Sequence, residues 1–138
     1  AYGLPKHRHL SEIEEQLSLF AEENVVLSFQ PHLAPMNRGI CSTLSVLSEG
    51  PVRTEKIYDC WKNAYSNRPF VQILASGTFP ETSAVTGTNR IDFSGLADPR
   101  TNRYVLCSTE DNLIKGAGGQ AIQAMNICQG YPEESGLS

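Results

Sequence analysis

Apolar residues recur at helical spacing in three stretches and alternate with small polar ones in others, and that contrast organises the chain. Ser11-Glu12-Ile13-Glu14 has the form of a capping box, with Ser11 as N-cap and Glu14 three residues on. It predicts a helix ending near Glu22, with Ile13, Leu17 and Phe20 on one face. Asn24 to Phe29 is a short β-rich run, and Gly39 to Leu47 alternates Ile40, Leu44 and Val46 with small polar residues; both predict strands. Pro31 and Pro35 remove ladder donors between them and force a connecting segment over Gln30 to Arg38. Thr54 caps a second predicted helix, in which Ile57, Tyr58, Trp61 and Tyr65 form one aromatic stripe for a sheet. Phe70 to Leu74, Ala84 to Phe93 and Arg103 to Ser108 predict further strands. A Gly/Thr/Pro-rich loop over Gly77 to Thr82 follows the first of these, and the turn-rich Ala97 to Asn102 joins the last two. A final helix over Leu113 to Cys128 precedes a tail, Gly130 to Ser138, that reads as frayed.

Strands alternate irregularly with helices and no repeat or low-complexity block occurs, which predicts an α+β sandwich: a mixed, largely antiparallel sheet with helices over one face. The 138 residues fit one domain. Such a chain buries roughly two thirds of its unfolded surface, so a core is possible without disulfides or metal. No apolar run is long enough to span a bilayer, which argues against a membrane role. A net charge of −4 gives no sequence-wide basic footprint for nucleic acid, whereas a small anionic metabolite needs only one or two placed arginines. Cys41, Cys60, Cys107 and Cys128 are far apart, without a C-x-x-C pair, and no secretory h-region stands at the start. They read as reduced, mostly buried thiols of the cytoplasm or an organelle matrix. The opening Ala1-Tyr2-Gly3-Leu4-Pro5 has neither initiator Met nor targeting pattern, and the chain reads as cut from something longer.

Candidate chemistry concentrates in three places. Lys6-His7-Arg8-His9, followed by Glu12, puts two imidazoles, two cations and a carboxylate just before a helix start. Histidine can take and give a proton near neutrality, and a neighbouring carboxylate can orient its ring, so this is a candidate general acid/base site. The plainer alternative is a solvated polar loop with a helix cap. A zinc reading of H-x-H lacks a third ligand at short spacing, so no metal site is expected. His32 and Arg38 lie in the proline-broken connection, where ligand-binding groups tend to sit, and Arg38 could fork onto a carboxylate or phosphate. Near the C-terminus, Gly116, Gly118 and Ala121 satisfy G-x-G-x-x-A. That motif needs a following strand with an acid about 20 positions on, and the chain ends too soon for it. Gly116, Gly118 and Gly119 so close together instead imply a close approach to another backbone or a planar ligand, and Asn112 just before them has an amide suited to a carboxamide. No cysteine has an activating neighbour in sequence.

His7-Arg8-His9-Leu10-Ser11-Glu12-Ile13, Pro31-His32-Leu33-Ala34-Pro35-Met36-Asn37-Arg38-Gly39-Ile40 and the run Asp111 to Asn126 (DNLIKGAGGQAIQAMN) together resemble N-acetyl-gamma-glutamyl-phosphate reductase, in order and in spacing. The resemblance covers nearly the whole chain, residues 1–138, but only the C-terminal portion of that family's enzyme. Ser11 stands where the family usually has proline and Gly118 where it usually has alanine. The family's nucleotide-binding glycine loop and its P-G-C-Y nucleophile segment have no counterpart here, and no cysteine matches that nucleophile.

The resemblance implies a glyceraldehyde-3-phosphate dehydrogenase-like C-terminal fold and NADPH-dependent reduction of an acyl phosphate to a semialdehyde in arginine biosynthesis, through a cysteine thioester. NADP would be bound mainly by an N-terminal domain absent from this chain, leaving this chain inactive alone. By the same resemblance His9, with His7 beside it, is the acid/base; Arg8, Glu12, Arg38 and His32 face the small-molecule substrate; Asn112 with Gly116, Gly118 and Gly119 faces the nicotinamide. A homo-oligomer formed through the sheet is expected. The alternatives are a related amino-adipate or carrier-linked reductase of lysine biosynthesis, a non-catalytic dimerisation module, and, most weakly, a metal-dependent hydrolase on His7, His9 and His32.

Overall fold

The first helix begins about one turn earlier than the capping box implies. In the computed structural model, which describes residues 1–138, α1 spans Arg8–Ala21 with His7 as N-cap. Ser11, the expected cap, lies inside the helix, its hydroxyl donating to the Arg8 carbonyl at 3.4 Å. Asn24 to Phe29 is extended but is not the expected strand. Its Val25 N–H donates to Ser18 Oγ at 2.9 Å and its Leu27 N–H to Glu14 Oε1 at 3.0 Å, so side chains of α1 take donors that a ladder would use. The Tyr2 N–H reaches back to the Pro31 carbonyl at 3.1 Å. No residue of α1 is fully buried, and Phe20, expected on its packed face, is 87% exposed. These residues belong to one compact unit, Ala1–Met36; Asn37–Ser138 forms the other.

In the second unit, β1 (Ile40–Leu47), β2 (Val71–Ile73), β3 (Ile91–Asp98) and β4 (Arg103–Glu110) form one sheet in the order β1-β4-β3-β2. Both β4 pairings are antiparallel and β2 runs parallel to β3, which is the mixed, largely antiparallel arrangement expected. The β3–β4 hairpin closes on Asp98, whose carboxylate accepts from the Arg100 N–H and the Thr101 hydroxyl, while Asn102 takes the left-handed conformation. α2 (Thr54–Tyr65) lies on the sheet face that carries Phe93 and Gly95. The Phe93 ring centroid is 4.8 Å from Trp61 and 5.6 Å from Tyr65, edge to face. Gly95 makes room: a Cβ there would stand 3.0 Å from Trp61 Cη2 and 2.9 Å from the Val105 carbonyl. Thr54 is not the cap of α2. Arg53 holds that position without a side-chain bond, and the Thr54 hydroxyl accepts the Ala97 N–H at 3.0 Å, joining the helix start to β3.

The core is small, with Val52, Ile57, Phe70 and Val85 as its buried apolar side chains, each contributing on the order of 1.5–3 kcal/mol. Ala84 to Arg90 is not strand either. Thr82–Val85 is a short helix, α3, and Arg90 forks onto Asp92 while Nη2 also donates to the Ala84 carbonyl, so β3 begins only at Ile91. After β4 a π-helical turn over Ile114–Gly118 leads into α4 (Gly119–Gln129), which ends on Gly130 in the left-handed conformation. The tail is held rather than frayed: Asn126 Nδ2 donates to the carbonyls of Glu133 and Ser135, and the Asn89 N–H donates to that of Ser138. The cysteines are not buried as expected. Cys41, Cys60 and Cys128 are exposed and Cys107 is half-buried, because the strand faces and helix sides that carry them are uncovered in the single chain. No helix is long and apolar enough to cross a membrane.

Candidate active site

The candidate residues divide between the two units. In the first, Arg8, His9 and Glu12 ride on the opening turns of α1, with His7 capping it. Arg8 and Glu12 are four apart and His9 and Glu12 three apart, so each pair shares a helix face, although no ion pair forms. Helix capping fixes the His7 ring: its Nδ1 accepts the His9 N–H at 3.2 Å, and its carbonyl accepts the Leu10 N–H at 3.0 Å. Edge-on rings surround it, with centroids at 5.3 Å for Tyr2, 4.9 Å for His9 and 5.3 Å for Phe29. Arg8, His9 and Glu12 are exposed and His7 is half-buried. His32 lies in the segment that follows, its Nδ1 3.0 Å from the Gln30 carbonyl, which makes Nδ1 the donor and leaves Nε2 free.

In the second unit the site is built around Asp111, where β4 leaves the sheet. Its carboxylate is fully buried and accepts from Arg38 Nη2 at 2.8 Å, from the Gly87 N–H at 2.7 Å, and from the N–H groups of Leu113 and Ile114 at 2.9 and 3.1 Å. Burial pushes the Asp111 pKa up, but Arg38 and the three amides outweigh it and hold the carboxyl far below the usual carboxylate range. Arg38 is therefore partly engaged: Nη2 is fixed on Asp111, while its side chain stays 33% exposed. Asn112 likewise has one function occupied, its Oδ1 accepting the Gly39 N–H at 2.7 Å, which leaves Nδ2 to donate. Asp111 and Asn112 together fasten the Arg38-Gly39 entry to β1 against the exit of β4.

The glycine-rich turn has a steric cause at one position above all. A Cβ on Gly119 would overlap Asn89 Oδ1 and come within 2.7 Å of Ile114 Cγ2. On Gly116 it would meet Glu110 Oε1 at 3.3 Å, whereas Gly118 has nothing closer than 3.8 Å. The N–H groups of Gly116, Gly118 and Gly119 donate inward, to the carbonyls of Asp111, Leu113 and Ile114. None is left pointing at an anion, so this turn cannot cradle a pyrophosphate as a dinucleotide-binding glycine loop does. Beyond it, Gln123 Oε1 accepts from Asn89 Nδ2 at 2.9 Å and from Lys115 Nζ at 2.7 Å, and its Nε2 donates to Glu133 at 2.7 Å. Burial raises the Glu110 pKa against the pull of Lys115, and burial lowers that of Lys115 against Glu110 and Glu133. No three His, Cys, Asp or Glu side chains come close enough to hold a metal ion.

Residues 1–112 match the model of the semialdehyde dehydrogenase dimerisation domain. The chain belongs to the semialdehyde dehydrogenase dimerisation-domain family. Among its relatives, a protein of Akkermansia muciniphila named N-acetyl-gamma-glutamyl-phosphate reductase is 50% identical over 137 residues, 99% of this chain and 40% of that protein. One of the same name from Pelobacter propionicus is 48% identical over 139 residues, 100% of this chain and 40% of its own length, and one from Acetivibrio thermocellus is 47% identical over 138 residues, again 40% of its length. The chain thus spans about 40% of the length of the curated relatives it matches. A crystal structure of aspartate semialdehyde dehydrogenase II from Vibrio cholerae, complexed with ASA, superposes with a TM-score of 0.69 at 15% identity, covering 91% of this chain and 38% of that one. That likeness establishes the fold, in agreement with the α+β dehydrogenase-like arrangement expected.

Of the expected residues, the structure brings His7, Arg8, His9 and Glu12 onto one helix end, and Arg38, Asn112 and Gly116 onto another cluster. Asp111, Asn89 and Gln123 are site residues that the sequence alone did not single out. Asp111 follows Glu110 at a strand end, and its partners Arg38 and Gly87 are remote in sequence. Only the run of Asp111-Asn112 directly before the glycine turn offered a signal.

Proposed function

We propose that this chain is the substrate-side portion, over residues 1–138, of an enzyme that reduces N-acetyl-gamma-glutamyl phosphate to N-acetylglutamate semialdehyde in arginine biosynthesis, in the cytoplasm or an organelle matrix. The observation that carries this reading is the 44–50% identity, across essentially the whole chain, to proteins named for that reaction. A cysteine thiolate and the nucleotide-binding segment would come from the remaining part of the longer polypeptide. The thiolate displaces phosphate from the acyl group, and the resulting thioester is reduced to the aldehyde with release of the thiolate.

The reduced cofactor, NADPH, would supply the hydride when bound and leave as NADP. Asn112 fits the nicotinamide end, because Nδ2 is an unpaired donor on an amide whose oxygen is held by Gly39. The pyrophosphate does not fit the Gly116, Gly118 and Gly119 turn, whose amides are satisfied internally, so the rest of the dinucleotide belongs elsewhere. His9 is exposed at the N-terminal end of α1 and is the group assigned to protonate the oxyanion left by hydride addition to the thioester, and to take that proton back as the thiolate leaves. Glu12 and Arg8, exposed on one helix face, are assigned to the substrate, with Arg8 attracting an anionic group. The exposed part of Arg38 offers donors beyond those fixed on Asp111, and His32 offers Nε2 to the substrate. In the full-length protein, His9→Ala lowers kcat by about 10²-fold or more with little change in thermal stability. Wild-type turnover in that variant removes His9 from the mechanism.

Homo-oligomerisation through the sheet belongs to the same proposal. β1 is an edge strand, and Ile40, Leu44 and Val46, on the α2 side of the sheet, remain 41%, 46% and 44% exposed. A second copy covering that stripe agrees with the dimerisation-domain description of the matching family.

A further inference from the structure

Two histidines separated by one residue at a helix start read alike in sequence, yet the structure gives them opposite surroundings. The His7 Nδ1 accepts the His9 main-chain N–H, so in its neutral form the ring carries its proton on Nε2. Its ring is also confined: Tyr2, His9 and Phe29 stand edge-on around it, and Gly3 lies so close that a Cβ there would come within 2.7 Å of His7 Cδ2. The left-handed conformation of Gly3, at φ +66°, lets the chain pass at that distance. The His9 side chain, by contrast, is exposed and has no hydrogen-bond partner. A ring whose one basic nitrogen holds a helix cap cannot collect a proton without breaking that cap.

We infer that His7 is a positioning residue: through Nδ1 it caps α1 and fixes the backbone from which His9 projects, so that His9 alone exchanges the proton. This rests on the reductase reading above and deepens it by dividing the two histidines between support and chemistry. The Nδ1 acceptor matters, not the imidazole acid, and that makes the roles separable. Asparagine is a good helix cap and offers a side-chain oxygen to the same N–H, but cannot act as an acid/base near neutrality.

The test uses the full-length enzyme that carries this chain, with His7→Asn, His7→Ala and His9→Asn compared by kcat for acyl-phosphate reduction. Loss of the cap in His7→Ala lowers kcat about tenfold to a hundredfold, the range that a displacement of up to about 1 Å carries. His7→Asn recovers most of that loss, whereas His9→Asn, with the cap intact, stays at least about 10²-fold down. A His7→Asn enzyme as impaired as His9→Asn overturns the assignment. Nitrogen-15 NMR of the wild-type protein needs no turnover. It shows the His7 ring protonated at Nε2 with Nδ1 in acceptor form; a neutral ring protonated at Nδ1 overturns the inference. Absence of wild-type turnover with a correct His7 tautomer would instead sink the reductase reading while leaving the cap in place.

Discussion

At the residue scale, Asp111 concentrates more of the fold than any other side chain. A buried carboxylate with a guanidinium and three amides on it is stabilising only while it stays ionised, since protonation removes the charge and turns one of its acceptor sites into a donor facing other donors. Its pKa is depressed in the folded protein, so its contribution is fully present above the unfolded carboxylate pKa, about 4, and is lost as pH falls towards the folded value. Asp111→Asn accordingly lowers Tm at neutral pH by roughly 5 °C or more, and the gap to wild type narrows as pH drops below about 4. Parallel Tm curves across that range, read by calorimetry, would show that the charge of Asp111 contributes nothing. The sequence marked Asn112 and Gly116 but not Asp111, because the groups that make a strand-end acid indispensable, Arg38 and Gly87, are brought to it only by the fold. Gly119 is the converse case: the density of small residues foretold a close approach, and Asn89 is what approaches.

At the scale of elements, periodicity located β1, α2 and β4 well, because each has its side-chain pattern matched by a real neighbour. It failed where the neighbour was of another kind. Asn24 to Phe29 has strand composition, but Glu14 and Ser18 of α1 accept its Val25 and Leu27 amides, and the run becomes a strap along a helix. Ala84 to Arg90 failed similarly, since the Arg90 fork onto Asp92 and the Ala84 carbonyl shapes that segment by side-chain bonds. The caps were misassigned for one reason: serine and threonine are favoured at N-caps, yet His7 supplies the acceptor at α1, and the Thr54 hydroxyl accepts the Ala97 N–H. The strap makes a local prediction. Glu14→Ala leaves the Leu27 amide without its acceptor, and its hydrogen exchange accelerates by about fivefold, as expected for a bond of about 1 kcal/mol, while amides of β3 and β4 are unchanged. Unchanged exchange at Leu27 would mean that the strap is held by other contacts.

At the scale of the whole molecule, the small core and the open face of β1 fit a chain that is completed by association. Leu44, with Val46 and Ile40 beside it on the sheet face, is where a charge would oppose that most directly. Leu44→Glu in the full-length protein shifts sedimentation equilibrium from dimer towards monomer, by at least about tenfold in dissociation constant. A dimer of unchanged affinity would move the interface off this stripe. The order of motifs along the sequence was enough to name the proteins this chain resembles, because His7 to Ile13, Pro31 to Ile40 and Asp111 to Asn126 are each weak alone and specific together. It left His7 and His9 undivided, because which of them caps the helix depends on where α1 starts.

The central claim is that this chain contributes the acid/base and substrate side of an acyl-phosphate reductase whose nucleophile lies elsewhere in a longer polypeptide. The most direct measurement is phosphate-dependent reduction of NADP by N-acetylglutamate semialdehyde, comparing the full-length protein with residues 1–138 alone. Turnover by the full-length protein and none by the shorter chain is the expected result. Turnover by residues 1–138 alone would mean that Cys41, Cys60, Cys107 or Cys128 is the nucleophile, and would contradict the divided site.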